Sequence, residues 1–263
     1  MKKEIKYLAP TGQLSSGFPK DSVMRALDMG LDFIGCDCGS TDGGPYSLGS
    51  GEPGISRDTV KNGVDILLHG ARENDIPLII GSAGYAGADQ HVDWFLKILK
   101  EVTTENKFHY KLAVIRAELS KQYLKEKLKE GRIKPLNPYG FKGPNFEPLK
   151  EDTIEKCDHI VGVMGAEPYA KALDEGAEVI VAGRSTDTAI YSAIPLKEGF
   201  DPGMVWHAAK IAECGAACVE HRTESDAVVV TLQHDGAIIE PPNPNLRCTP
   251  ISIRSHMLYE NPS

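Results

Sequence analysis

No apolar run in this chain approaches the ~18 residues of a membrane-spanning helix, which excludes that class from the reading. Dense Lys/Arg blocks are missing too, and a formal net charge of −8 argues against nucleic acid as a partner. The one basic stretch, KQYLKEKLKEGRIK, alternates in sign and reads as a solvated helix face. GSAGYAG at Gly81–Gly87 matches neither a Walker phosphate loop nor GxGxxG, so ATP and NAD binding find no support in that loop. The opening MKKEIKYLAPTG has a lysine pair, Lys2 and Lys3, but no apolar stretch behind it, unlike a signal peptide. Six scattered cysteines (Cys36, Cys38, Cys157, Cys214, Cys218, Cys248) are therefore expected as reduced thiols of a cytoplasmic protein.

What is present is ordinary globular composition, 41% hydrophobic and 25% charged, arranged as apolar strand, polar loop and amphipathic helix. Strands are predicted at Ile5–Leu8, Phe33–Cys36, Leu78–Ile80, Leu112–Ile115 and Val179–Ala182. Helices are predicted at Asp21–Met29, Arg57–Asn74, Ala88–Thr103, Lys121–Glu130, Lys150–Val163, Pro168–Glu175 and Met204–Val219. Gly30, Gly131 and Gly176 each follow a helical pattern and suit a left-handed stop. Short apolar strands alternating with helices predict an α/β fold, a mostly parallel sheet with helices on both faces in a Rossmann-like three-layer arrangement. AVVVTLQHDGAIIE carries a hairpin signal at Asp235-Gly236, so an antiparallel element is expected to begin there. The expected organisation is a core domain over residues 1–225, interrupted by the Pro-rich PLNPYGFKGPNFEP at residues 135–148, which suits a linker or a lid. Residues 226–263 are expected to begin a second domain, incomplete or completed by a partner.

One pattern is written twice. ALDMGLDFIGCDCGSTD (Ala26–Asp42) and ALDEGAEVIVAGRSTD (Ala172–Asp187) share a helix end, a glycine, an apolar strand and a final Ser-Thr-Asp. Helix, stop and strand could converge in any αβ unit, whereas a bare turn has no need of that tripeptide. In open parallel sheets, ligands bind outside the carboxyl ends of the strands. Three such loops, CDCGSTDGG, GSAGYAGAD and GRSTDTA, combine glycines that let backbone N–H groups approach a ligand with hydroxyl donors. The candidate substrate-binding residues are Ser40, Thr41, Gly43, Gly44, Ser82, Gly84, Ser185, Thr186 and Arg184, whose guanidinium can grip a carboxylate or else form a structural ion pair. Asp42, Asp187 and Glu118 are the catalytic candidates, with Asp42 and Asp187 preferred to the neighbouring Asp37. Adjacent carboxylates can divide acid and base roles, bind a divalent cation or merely cap helices, and no cofactor can be named.

Other polar residues have plainer readings. Arg116 suits an exposed edge, and His91 with Asp93 in DQHVDW makes a poor metal pair. Cys214 and Cys218 fit one apolar face of a helix, and His207 on that helix reads as a core histidine. Cys36 or Cys38 at a helix start could serve as a nucleophile, although no histidine partner is identifiable.

FIGCDCGSTDGGPYSLGSG, PLIIGSAGYAG with HVDW, VIVAGRSTD, GFDPG with WHAAKIAECGA, and EPPNPNLRCTP with SHMLYE resemble the acyclic terpene utilisation protein A (AtuA-like) family, in order from Gly30 to Tyr259. That resemblance implies acyl-CoA metabolism, since the family takes its name from bacterial clusters degrading citronellol and geraniol alongside a carboxylase, a hydratase and a lyase. It also implies a longer chain, often with a small companion protein, and it assigns no catalytic residue. The expected function is a lyase or hydratase acting on a small carboxylic acid or its CoA thioester, in a homo- or hetero-oligomer. The alternatives are a non-catalytic binding subunit completed by a companion chain, and a cysteine-dependent hydrolase.

Overall fold

β1 (Glu4–Ala9) lies inside a seven-stranded sheet of order β4-β5-β3-β2-β1-β6-β7. The other strands are β2 (Phe33–Asp37), β3 (Leu78–Gly81), β4 (Leu112–Ile115), β5 (Val179–Ala182), β6 (Val228–Gln233) and β7 (Ala237–Glu240). This computed structural model describes residues 2–136, 147–222 and 224–258. Most of the expected lid, residues 137–146, and the Tyr259–Glu260 end of the SHMLYE segment lie outside the described residues.

The first five strands pair in parallel, each at or within one residue of its predicted place. They alternate with α1 (Lys20–Leu27), α2 (Tyr46–Ser50), α3 (Arg57–Glu73), α4 (Asp89–Asn106), α5 (Lys121–Lys129), α6 (Glu151–Lys156) and α7 (Glu167–Asp174). After β5 come α8 (Ala189–Lys197) and α9 (Pro202–Ala212), and after β7 comes α10 (Pro250–Leu258). Side chains alternate across the sheet. Leu8, Ile34, Cys36, Ile80 and Val181 pack with α1, α3 and α4 on one face, whereas Tyr7, Phe33, Ile79, Ile180 and Val230 pack with α7, α8 and α9 on the other.

The strand order explains this division. β1, β2 and β3 advance in one direction with their helices on one face, and β4 to β5 steps back, which puts α7 on the opposite face under the right-handed crossover rule. β3 and β5 are therefore neighbours whose following helices, α4 and α8, leave to opposite faces. That divergence is a topological switch point and opens a crevice at the strand ends.

The hairpin forms as predicted, but β6 pairs antiparallel with β1 over six positions, from Glu4↔Gln233 to Ala9↔Val228. The segment expected to open a second domain thus supplies two strands to the one sheet. Two helix predictions are corrected. The helix expected at Lys150–Val163 ends at Lys156, because Cys157 is extended and residues 160–164 instead bond to the ends of β4 and β5. The helix expected at Met204–Val219 ends at Ala212, where Gly215 at φ 56° turns the chain into a 3₁₀ segment, Gly215–Cys218. His207 is exposed on α9 rather than in the core.

α8 is buried on nearly every side and escaped the sequence reading. It can press onto the sheet because Gly35 in β2 has no side chain: a Cβ there would lie 2.7 Å from the Tyr191 ring. Tyr191 in turn stacks on Tyr7, with ring centroids 5.6 Å apart. Gly35→Ala should therefore overpack this layer and cost about 1–3 kcal/mol. Denaturant unfolding checks it, and an unchanged midpoint would refute the close approach.

Candidate functional site

A cavity of about 1070 Å³ opens at the carboxyl ends of the parallel strands. Its lining includes Ser40, Thr41 and Asp42 after β2 and Arg184, Ser185, Thr186 and Asp187 after β5. The duplicated Ser-Thr-Asp loops thus meet at one cavity, joined by Thr11–Gln13 after β1, Lys210 and Glu213 of the α9 end, and Ser252, Ser255 and His256 of α10.

The loop after β3 holds these loops together from behind. Its backbone takes left-handed angles at Ser82 (φ 45°), Gly84 (68°), Tyr85 (90°) and Gly87 (72°). A positive φ is costly for tyrosine, so the turn must be fixed by its surroundings. The Tyr85 hydroxyl accepts a hydrogen bond from Gly43 N–H at 3.1 Å, and the Gly87 carbonyl accepts from Arg184 N–H at 3.1 Å. A Cβ on Gly39 would lie 1.9 Å from the Tyr85 carbonyl, and one on Gly87 would lie 2.2 Å from Arg184 N. These contacts leave no room for side chains between the three loops.

Arg184 is the buried cation of the site, 5% exposed. Its Nε and Nη2 donate to the Ser185 carbonyl at 3.3 and 3.1 Å, and Nη2 also donates to Asp187 Oδ1 at 2.9 Å. Nη1 is buried without a partner among the described residues. The structural ion pair and the free donor anticipated from sequence therefore coexist on one guanidinium. Ser185 Oγ shares a 2.7 Å hydrogen bond with the buried Tyr169 hydroxyl, whose titration is pushed up by burial. Ser82 Oγ donates to the Ser185 carbonyl at 3.4 Å and is itself buried, so it supports the loop from below.

The carboxylate ranked lowest from sequence is the most perturbed one here. Asp37, at the buried end of β2, is 2% exposed, and its Oδ1 accepts from Gly39 N–H at 3.1 Å. Burial first, and then the neighbouring Asp187 carboxylate, raise its pKa well above the usual carboxylate range; Arg184 and the Gly39 N–H oppose them. Asp37 Oδ2 has no donor among the described residues, and a proton shared with Asp187 would supply one. The sequence signal that could have found it is the position itself, the last residue of a fully buried strand.

Other predicted residues are placed elsewhere. Asp42 is exposed at the cavity, its N–H bonded to Ser40 Oγ at 3.0 Å. Gly43 and Gly44 lie outside the cavity lining, and Gly84 packs against the His91 backbone. Glu118 lies in a separate cleft with Asp89 and Lys121. There it accepts from Asp89 N–H at the start of α4 (2.9 Å) and contacts His159 Nδ1 (2.7 Å), so it is not brought together with Asp42 and Asp187. Arg116 pairs with Asp93, and His91 Nδ1 accepts from Ala88 N–H. Cys36 and Cys38 are fully buried, and burial pushes both thiols up, Cys38 to about 12. Among the described residues, no group of three or more His, Cys, Asp or Glu side chains could hold a metal ion.

The raised Asp37 carboxyl has a measurable consequence. Below the ordinary Asp range near ~4, native and unfolded chains both hold this proton. Above it the unfolded chain releases the proton while the native state retains it, so stability falls as pH rises, by at most about 1.4 kcal/mol per unit. Asp37→Asn removes this slope, so its melting temperature should gain on that of the wild type as pH increases through that window. Parallel melting profiles from pH 4 to 9 would show that Asp37 ionises normally.

Comparison with curated proteins and with solved structures finds no match. Residues 52–221 match the family model described as acyclic terpene utilisation family protein AtuA. The match takes in the loops after β3 and β5, Arg184, Asp187 and α9, while the first Ser-Thr-Asp loop precedes it. With more than half of its length matched, the chain belongs to the AtuA family.

Proposed function

We propose that the cavity carries acid–base chemistry of the lyase or hydratase type on a small carboxylic acid or its CoA thioester. The observation that carries this reading is the buried Asp37 carboxyl set against the partly exposed Asp187, with Arg184 beside both. Two carboxyls in unlike environments part their proton affinities, which is how one site holds both an acid and a base at one pH. Asp187 reaches the cavity and exchanges the proton with substrate; Asp37 behind it stores one. The free Nη1 of Arg184 suits a substrate carboxylate or the oxyanion of an enolate, because a buried cation with a spare donor stabilises negative charge most where water is excluded. Asp42 and the hydroxyls of Ser40, Thr41 and Thr186 would orient the rest of the molecule. The burial and raised thiols of Cys36 and Cys38 favour this carboxylate chemistry over a cysteine nucleophile.

A second reading, a binding subunit completed by a companion chain, is favoured by Ile238 and Ile251, which are 53% and 75% exposed. It expects ligand binding only after the companion is added.

Thermal stabilisation by di- and tricarboxylates, CoA thioesters and nucleotides, each with and without Mg²⁺ or Mn²⁺, tests the pocket. A true ligand at roughly 100 times its Kd adds about 2.7 kcal/mol, and Arg184→Ala should abolish that gain. Incubation of the stabilising acid in D₂O should wash deuterium into the carbon next to its carboxyl or thioester carbonyl. Asp187→Asn should slow that exchange by roughly 10²–10⁴-fold. Binding without any exchange would leave a pocket but no proton chemistry, and sink the enzymatic reading.

A further inference from the structure

α10 forms one wall of the cavity, yet none of its residues is fully buried. Its hold on the body comes from Ile253 and Met257, packed against the core, and from a short strap just before it. In that strap Val219 and Cys248 form an antiparallel bridge, and Glu220 N–H donates to the Arg247 carbonyl at 2.9 Å. The Glu220 carboxylate accepts from Arg247 Nε at 2.7 Å and from Thr249 Oγ1 at 2.8 Å. Within the same strap, the Sγ atoms of Cys218 and Cys248 stand 3.9 Å apart, at contact. Cys218 is fully buried and Cys248 is partly exposed.

We propose that Cys218 and Cys248 close into a reversible disulfide that clamps α10 over the cavity. Backbone bonds hold the two segments in register with the sulfurs at contact, and closure brings them to bonding distance, about 2.05 Å. The oxidant is a hydroperoxide. The sulfur of the partly exposed Cys248 attacks one peroxide oxygen, the O–O bond breaks, and the departing oxygen takes a proton; from hydrogen peroxide it leaves as water. Cys218 then attacks the sulfenic sulfur of Cys248 and expels water, so two thiols lose two protons and two electrons in all. The contact supports this order, since it lowers the Cys248 thiol and raises that of buried Cys218. A small dithiol reverses the bond by exchange. This inference does not depend on the chemistry proposed for the cavity.

The test treats the full chain with hydrogen peroxide, alkylates the remaining thiols and maps the peptides without reduction. The expected result is a Cys218–Cys248 cross-link with loss of these two alkylation sites, both restored by dithiothreitol. Hydrogen exchange across 250–258 should slow in the oxidised form. Cys248→Ser should lose the cross-link and leave Cys218 alkylatable after unfolding. Oxidation confined to other cysteines, or pairing of Cys248 with the cavity-lining Cys214, would overturn the proposal. The wild-type map decides it even where a variant folds poorly.

Discussion

Burying a guanidinium at the end of a β-sheet is expensive, and the architecture around Arg184 is organised by that cost. A charge removed from water is tolerated only when paired and hydrogen-bonded. Here the offset comes from Asp187, from the Ser185 carbonyl and from a backbone held by Gly87, all within the loops that form the crevice between β3 and β5. The left-handed turn after β3 brings the loops after β2 and β5 together behind the cation, and Gly39 and Gly87 permit the close approach. The same arrangement leaves Asp37 buried against a second carboxylate. Charge placement, glycine usage and strand order are thus one constraint seen at three levels.

The duplicated Ser-Thr-Asp signal separates into two roles. Both loops leave strands preceded by a helix and a left-handed glycine, Gly30 and Gly176, so the resemblance between them is structural as well as sequential. The copies are not equivalent. The loop after β5 carries the buried arginine and an aspartate fixed to it, while the loop after β2 presents Asp42 openly and keeps its buried carboxylate five residues earlier. Similar local sequence placed at different positions in a sheet acquires different electrostatics.

How much was legible beforehand follows from physics that acts locally. Strands such as VIVA and LIIG declare themselves by apolar runs with glycine stops, and Arg184 with Asp187 could be placed at a strand end from order alone. α8 could not be seen, because AIYSAIPLK is buried on nearly all sides and contains Pro195, so it lacks the one-sided period that marks a surface helix. Lys150–Val163 looked helical because its apolar spacing fits, and the competing backbone bonds to β4 and β5 come from residues far away in sequence. Asp37 was undervalued for the same reason. Its character comes from Asp187, 150 positions later, and no window along the chain contains both.

The pairing of β1 with β6 has a consequence for how the chain reaches this state. Glu4 faces Gln233, 229 positions later, so β1 finds one of its two neighbours only after that long intervening stretch exists. Until then β1 presents an open edge beside apolar Ile5, Tyr7 and Leu8, a surface prone to wrong pairing during synthesis. Closing so large a loop is entropically slow, and contacts of such long sequence separation are the ones that delay folding. The parallel β1–β3 unit with α1, α3 and α4 can assemble early from nearby contacts. Completion of the sheet must wait for β6 and β7, so this fold is finished by strands distant in sequence from the one they join.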